Sequence, residues 1–375
     1  MRGHVNKQQP IFVVVHLEEK VPADHPLRAI KSQADALLAA MRKDLAAAYC
    51  SDNGRPGIPP EQLLKAMLLR ALYSIRSEIQ LMQAIDYNML YRWFLDLPID
   101  AKVWTPEAFS VNRDRFEQHG LVRKFFDRIV AEAYQQDLAS SDHFTVDGTL
   151  IRSWASDKSL VPRDPKQTPA AERKDDDPGN PTINFHHQKR SNATHVSTSD
   201  PEALLAKKGP GKEAHLSHSG HVLMENRHGL VLDVQIEPAD GTAERRAAKV
   251  MLKRVRRRHG EHPRTLGADT GYDDGPFLLA LEQDRIEPHV PLRDGPIVSM
   301  DEPAQARRRM RRRMAGVGYA ISQKIRKRVE EIFGWFKTIG GLARSRLVGR
   351  WKIAQEALVA AAAYNLLRMT RLRAA

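Results

Sequence analysis

A single cysteine, Cys50, stands among 375 residues. One thiol excludes an intrachain disulfide and any Cys-rich zinc cluster. Long apolar runs are missing as well. The stretch from Ala357 to Tyr364 is among the longest, far below the roughly 18 residues a membrane span needs. The opening Met1-Arg2-Gly3-His4 has no apolar signal core. Aromatics are sparse at 6%, yet the 42% hydrophobic content supplies a sizeable core and excludes wholesale disorder. The length allows about two to three domains. These absences lead us to expect a soluble, reduced, intracellular protein with no membrane partner.

Most of the chain also lacks net charge. The first 300 residues hold 41 Lys and Arg against 41 Asp and Glu, whereas residues 301–375 hold 18 against 5. The whole excess of +13 therefore sits in the last fifth. A clustered basic segment on a neutral protein points to a polyanion, usually nucleic acid, or else to a solvated basic tail.

Residues 1–53 give weak signals: a Phe12-Val13-Val14-Val15 run, then Leu27, Ile30, Ala34, Leu37, Leu38 and Met41 near helical spacing. Residues 54–117 read as a helical block. Pro60 opens a helix with Leu63, Leu64, Met67, Leu68, Ala71 and Leu72 in one stripe. Short helices carry Ile79, Met82 and Ile85, then Leu90, Tyr91, Trp93 and Phe94. Thr105-Pro106-Glu107 caps and opens another. Such a series can hold a helix-turn-helix or be an ordinary bundle. Helix continues over 119–138, after which Phe144 and Val146 alternate with Thr145 and Asp147, the period of a strand.

Residues 156–214, rich in Pro, Lys, Asp, Ser and Asn, read as a long insertion, largely loop or flexible. A hairpin follows over 221–236. Thr242 then caps a helix with Ala247, Ala248, Met251, Leu252 and Val255 inside and Arg246, Lys249, Lys253, Arg256 and Arg257 outside. Arg264 to Asp269 reads as a strand, followed by a helix from about Gly275 and a strand ending near Leu292. That alternation predicts a mixed sheet flanked by helices. Residues 303–328 are intensely basic, with Arg307, Arg308, Arg309, Arg311, Arg312 and Arg313. The spacing predicts one long helix over about 321–339 and a last, Ala-rich one over 351–373.

On the 321–339 helix, Ile325, Val329, Ile332, Phe333, Phe336 and Ile339 form the apolar stripe. Arg326, Glu330 and Lys337 fall on one flank of it, Glu331 on the other. Alone, an Arg–Glu pair four residues apart is an ordinary surface pair. Asp147 on a strand and Asp269 at a strand end change the balance, because acids from strand ends and a helix can converge. Three converging carboxylates repel one another unless a divalent cation neutralises them. Two hard cations so held can clamp a phosphodiester.

At these residues the sequence resembles bacterial insertion-sequence transposases of the DDE class, in the insertion-sequence-five-like group. Phe144 to Ile151 resembles the block with the first catalytic Asp. Gly267-Ala268-Asp269-Thr270-Gly271-Tyr272-Asp273 resembles the second, and Arg326-x3-Glu330-x6-Lys337 the third. Leu223 to Leu230 and Gly241-Thr242-Ala243-Glu244-Arg245 also resemble family sequence. The resemblance implies an RNase H-like catalytic domain over 139–350, carrying the 156–214 insertion. In front of it would stand an N-terminal all-helical DNA-binding region over 1–138, and behind it a C-terminal helix over 351–375. Asp147, Asp269 and Glu330 would be the catalytic and metal-binding triad, taking Mg²⁺ and tolerating Mn²⁺. Arg326 and Lys337 would contact phosphates, with Arg307, Arg308, Arg311, Arg312, Lys253 and Arg257 as further DNA-binding cations. The Tyr of the related signature falls at Gln323, with Tyr319 one turn earlier. Implied partners are double-stranded element ends and target DNA, bound by a homodimer. The implied location is the bacterial cytoplasm, at the nucleoid.

Other readings are a transposase-derived regulator without catalysis and a metal-dependent DNA nuclease. His215, His218 and His221 are spaced by three, which on a strand alternates faces, so solvated or DNA-facing histidines are expected rather than a zinc site. Trp335, at the edge of the apolar stripe, is expected in the core. Trp154 is a candidate for stacking on a base.

Overall fold

The computed structural model describes residues 14–49, 57–163, 190–209 and 212–374. Cys50, Phe12-Val13 and residues 164–189 of the insertion lie outside them. Eight helices come first: α1 (Leu17–Lys20), α2 (Pro26–Ala40), α3 (Arg42–Ala46), α4 (Pro60–Leu72), α5 (Glu78–Tyr87), α6 (Met89–Phe94), α7 (Pro106–Gln118) and α8 (Leu121–Gln135). Nine strands follow: β1 (His143–Ser153), β2 (Leu160–Pro162), β3 (His195–Ser197), β4 (Leu204–Lys207), β5 (Ala214–Glu225), β6 (Val231–Pro238), β7 (Thr265–Gly267), β8 (Glu287–His289) and β9 (Arg344–Ser345). Between and after them come α9 (Ala243–His259), α10 (Gly275–Gln283), α11 (Glu302–Arg313), α12 (Val317–Arg326), α13 (Val329–Thr338) and α14 (Arg350–Ala374).

Local chemistry starts the helices where expected. Proline occupies the first turn of α2, α4 and α7, where its missing N–H costs nothing. The Thr105 hydroxyl accepts from the Ala108 N–H at 3.3 Å, and Ser77 and Asn88 cap α5 and α6 in the same way. The α4 stripe is broader than its spacing suggests. Every residue from Leu63 to Leu69 is buried, Lys65 included, because α14 covers the side turned away from α2. The Lys65 ammonium is satisfied by Asp35 and Asp96. Ile79, expected inside, is exposed, and Leu81 packs in its stead. α5 and α6 are joined by Asn88 alone, too short for a helix-turn-helix, which needs three or four turn residues.

The main sheet has the order β6–β5–β1–β7–β8. β5 is antiparallel to β1 and β6, while β7 and β8 run parallel to β1. A three-stranded antiparallel meander extended by two parallel strands is the RNase H-like arrangement, and the expected mixed sheet is present. β4 continues the β6 edge of β5, and β9 joins β1 only at Arg152–Ser153. β7 meets β1 only as far as Thr145. Among the described residues, 146–151 of β1 thus have no strand on that side.

α9 and α14 both pack on β6, so the alternation along β6 does not separate core from solvent. Asp233 is 1% exposed there. It is held by Arg123 from α8 at 2.5 Å and Arg254 from α9 at 3.0 Å. The insertion is more regular than its composition suggests. β2 and β3 form a small second sheet, and Asp200 accepts from Ser153 Oγ at 2.6 Å and lies 2.9 Å from His218 Nε2.

The single helix expected over 321–339 is two helices. The chain breaks at Lys327–Arg328. There the Arg328 guanidinium donates to the carbonyls of Asn226 (2.6 Å) and Arg227 (3.0 Å) in the hairpin turn. Apolar spacing runs unbroken across the junction, so only this tertiary bond marks it.

Candidate active site

Asp147 and Asp269 lie side by side. In the parallel pairing, Thr145 faces Gly267; two residues on, the same faces carry the two aspartates. Each ties one oxygen to its own turn. Asp147 Oδ1 accepts from Gly148 N at 2.7 Å, and Asp269 Oδ1 accepts from Gly271 N at 2.8 Å. Gly148 is demanded by packing, because a Cβ there would sit 2.8 Å from Nδ1 of the buried His221.

Burial pushes the Asp147 carboxyl up to about 6, and the charges of Asp269 and Glu330 add to the rise. The Gly148 N–H and Arg326 oppose it, the latter through a 3.4 Å ion pair to Oδ2. Glu330 therefore acts on Asp147 through space from the first turn of α13. The break at 327–328 places Arg326 at the end of one helix and Glu330 at the start of the next, so the two do not share one straight helix flank as expected. Glu331 faces away, 3.4 Å from Arg368 on α14. We therefore expect Glu331→Gln to retain cleavage activity within about twofold in a labelled-end assay; a dead variant would mean that the wrong glutamate has been chosen.

Glu244, in the first turn of α9, was missed by sequence reasoning. Burial raises its carboxyl, as do the charges of Asp269 and Asp147. Tyr272 is fully buried beside the same acids. His221 is buried too, its ring lowered to about 4 by burial. His218 is likewise inside, paired with Asp200. The expectation of solvated or DNA-facing histidines is thus corrected at both, because β5 is an inner strand. His215 instead lies with Asp157 and Glu213, their ligand atoms within 4.8 Å of one another. At the position of the signature Tyr, Gln323 donates to His289 O at 2.7 Å, tying α12 to β8. Tyr319 packs edge-on against His289.

A groove of about 820 Å³ opens beside Gly148 and Glu244, lined by Arg152, Lys207, Lys208, Lys212 and Lys337. Burial lowers the Lys337 ammonium, helped by Lys208. Lys337 also lines a second cavity of about 290 Å³ with Arg70, Arg76, Arg344, Arg346 and Trp154. Trp154 is 50% exposed, with the Arg344 and Arg346 guanidiniums 4.5 and 5.0 Å from its ring centre. Trp335 is half-buried against Tyr364. The basic run on α11 is placed differently. Arg307 is forked onto Asp273 (2.8 Å), and Arg308 and Arg311 donate to the carbonyls of Ile297 and Gly295. Arg312 on α11 and Lys253 and Arg257 on α9 are exposed.

Two family models match the chain: "Transposase domain (DUF772)" over residues 15–115 and "Transposase DDE domain" over residues 186–366. The chain belongs to the DDE transposases. The second match begins after β1, so it spans Asp269 and Glu330 but not Asp147. Two solved structures show partial similarity. The first is the "Mos1 transposase paired-end complex with left transposon end", 11% identical over 76% of this chain and 84% of that one (TM-score 0.21). The second is the "Crystal structure of a pre-cleavage Mos1 transpososome", 13% identical over 80% and 84% (TM-score 0.20). No curated protein matches the chain. The transposase is an enzyme of the DDE mechanism, which uses divalent cations. No helix among the described residues is long and apolar enough to cross a membrane.

The donors are carboxylates, the ligand type a hard cation takes, and burial with the neighbouring charges raises Asp147 and Glu244. Among the described residues the group whose ligand atoms all lie within 4.8 Å of one another is nevertheless Asp157, Glu213 and His215 and not the triad. A pH dependence follows. Asp147 titrates near 6 in the folded chain against about 4 unfolded. Its contribution to stability is complete below the unfolded value and is lost as pH rises through about 6. A cation binding the ionised acids restores it. Mg²⁺ or Mn²⁺ should therefore raise the melting temperature by several degrees near pH 8 and by far less near pH 5. Equal shifts at both pH values would argue against this site.

Proposed function

We propose that this transposase binds the terminal inverted repeats of an insertion sequence as a homodimer, frees their 3′ ends and joins them to target DNA. Asp147, Asp269 and Glu330 hold the cations, with Mg²⁺ the resident ion and Mn²⁺ accepted. Such ions activate an attacking oxygen and stabilise a departing one. In the first step a water oxygen bonds to phosphorus, the bond to the 3′ oxygen breaks, and a 3′-hydroxyl remains. In the second step the oxygen of that hydroxyl bonds to a target phosphorus, the target's own bond from phosphorus to its 3′ oxygen breaks, and the released 3′ oxygen takes up the proton the attacking hydroxyl loses. Arg326 and Lys337 contact the phosphates near the scissile bond, and no protein nucleophile is needed.

The observation that carries the reading is the basic groove that opens at Gly148, the residue after Asp147, and at Glu244. Its lysines and Arg152 suit a DNA backbone, while the acids suit the cations that cut it. The DNA path then runs through Arg152, Lys207, Lys208, Lys212 and Lys337, with Lys253, Arg257 and Arg312 as outer contacts. Incubating labelled element ends with supercoiled plasmid and Mg²⁺ tests it. Joined products are expected. Cleavage without joining would favour a nuclease, and binding without either would favour a regulator.

A further inference from the structure

Glu244 is unexplained by a three-acid site. A Cβ on Gly271 would run into Glu244 Oε2 and lie 3.0 Å from Asp269 Oδ1. Only a glycine backbone therefore separates the two carboxylates. α9 packs against the turn Thr270–Tyr272 that follows Asp269, which fixes this approach. The neighbouring Arg245 offsets it only in part, with its charge opposing the rise of Glu244 while its guanidinium pairs with Asp274 at 3.0 Å.

A second observation is independent. Tyr272 is fully buried, and its hydroxyl has no hydrogen-bond partner among the described residues. A buried phenol without a partner is rare, because desolvation is not repaid. The charges acting on this one are those of Glu244, Asp147 and Asp269, opposed by Arg326. The hydroxyl thus stands among the acids as a donor awaiting an acceptor, such as a water on a bound ion.

We propose that Glu244 is a fourth carboxylate of the cation site, set on the Asp269 side as Glu330 is set on the Asp147 side, with Tyr272 donating to the hydration shell between them. The proposal rests on the reading of Asp147 and Asp269 as cation ligands. Two divalent ions carry four positive charges, and a fourth acid balances them within the pocket. The competing explanation is that Glu244 merely complements the N-terminal dipole of α9.

Thermal unfolding of the full chain, titrated with MnCl₂ or MgCl₂ without DNA, separates the two. Glu244→Gln removes a repelling charge. The cation-free melting temperature should rise, and the cation concentration at half-maximal stabilisation should increase about tenfold or more. An acid serving only the helix dipole predicts the reverse: a lower cation-free melting temperature and an unchanged midpoint, which overturns the proposal. Asp269→Asn runs in parallel. If it loses the cation response while Glu244→Gln keeps it, Glu244 alone is misassigned. If neither variant changes the response, the underlying site is wrong. Should Glu244→Gln fail to fold, Tyr272→Phe decides. It deletes an unpartnered hydroxyl, so the fold should hold while the midpoint rises several-fold; an unchanged midpoint counts against the proposal.

Discussion

Asp269→Asn is expected to lower strand cleavage by more than about a thousandfold, or about 4 kcal/mol of barrier, while DNA binding stays within about twofold. The substitution isolates charge from architecture. Asp269 Oδ1 caps the following turn through Gly271 N at 2.8 Å, and an asparagine oxygen accepts that bond equally well. What disappears is the negative charge that acts on Asp147 and, on the proposed reading, one ligand of a hard cation. The groove lysines are untouched, so a mobility-shift assay on element ends should show wild-type affinity. Cleavage of labelled ends at the wild-type rate would remove Asp269 from the catalytic set.

Asp233→Ala is expected to destabilise the fold by about 3–5 kcal/mol, because it leaves two arginines sharing a covered surface without their counter-charge. Asp233 joins three elements: β6 carries it, α8 brings Arg123 and α9 brings Arg254. Its Oδ1 also accepts from Val234 N at 2.8 Å. The cost comes from breaking the set, not from its net worth. Replacing Asp233, Arg123 and Arg254 together by leucine should therefore cost much less than the single change. Urea unfolding followed by tryptophan fluorescence reads both. A single variant with an unmoved midpoint would show that the arginines find other partners.

The pair Asp147–Asp269 was legible in the sequence because strand period and motif agree: alternation around Phe144 and Val146 fixes one strand, and Leu266 to Tyr272 the end of the other. Glu244 was not, since an acid in a first turn is what any helix dipole favours. Only the packing of α9 on the turn after Asp269 gives it another meaning. The partners of the α11 arginines were hidden for a related reason. Charge density is visible in a sequence, but the partners that consume it are not. Asp273, which takes Arg307, and Glu282, which takes Arg309 and Arg313, lie about thirty residues upstream. The groove cations went unnoticed because Lys207, Lys208 and Lys212 sit in a segment whose composition reads as loop. The junction at Lys327–Arg328 was hidden by an apolar period that continues through Ile325, Val329 and Ile332.

α14 touches α2, α4 and α8 of the helical block, β6 of the sheet, and α13, which carries Glu330. At 25 residues it is a rod about 37 Å long. The two aspartates are anchored in the sheet, but the glutamate leans on this rod. α13 also packs on β1, so the helix carrying Glu330 is wedged between the rod that crosses the helical block and the strand that carries Asp147.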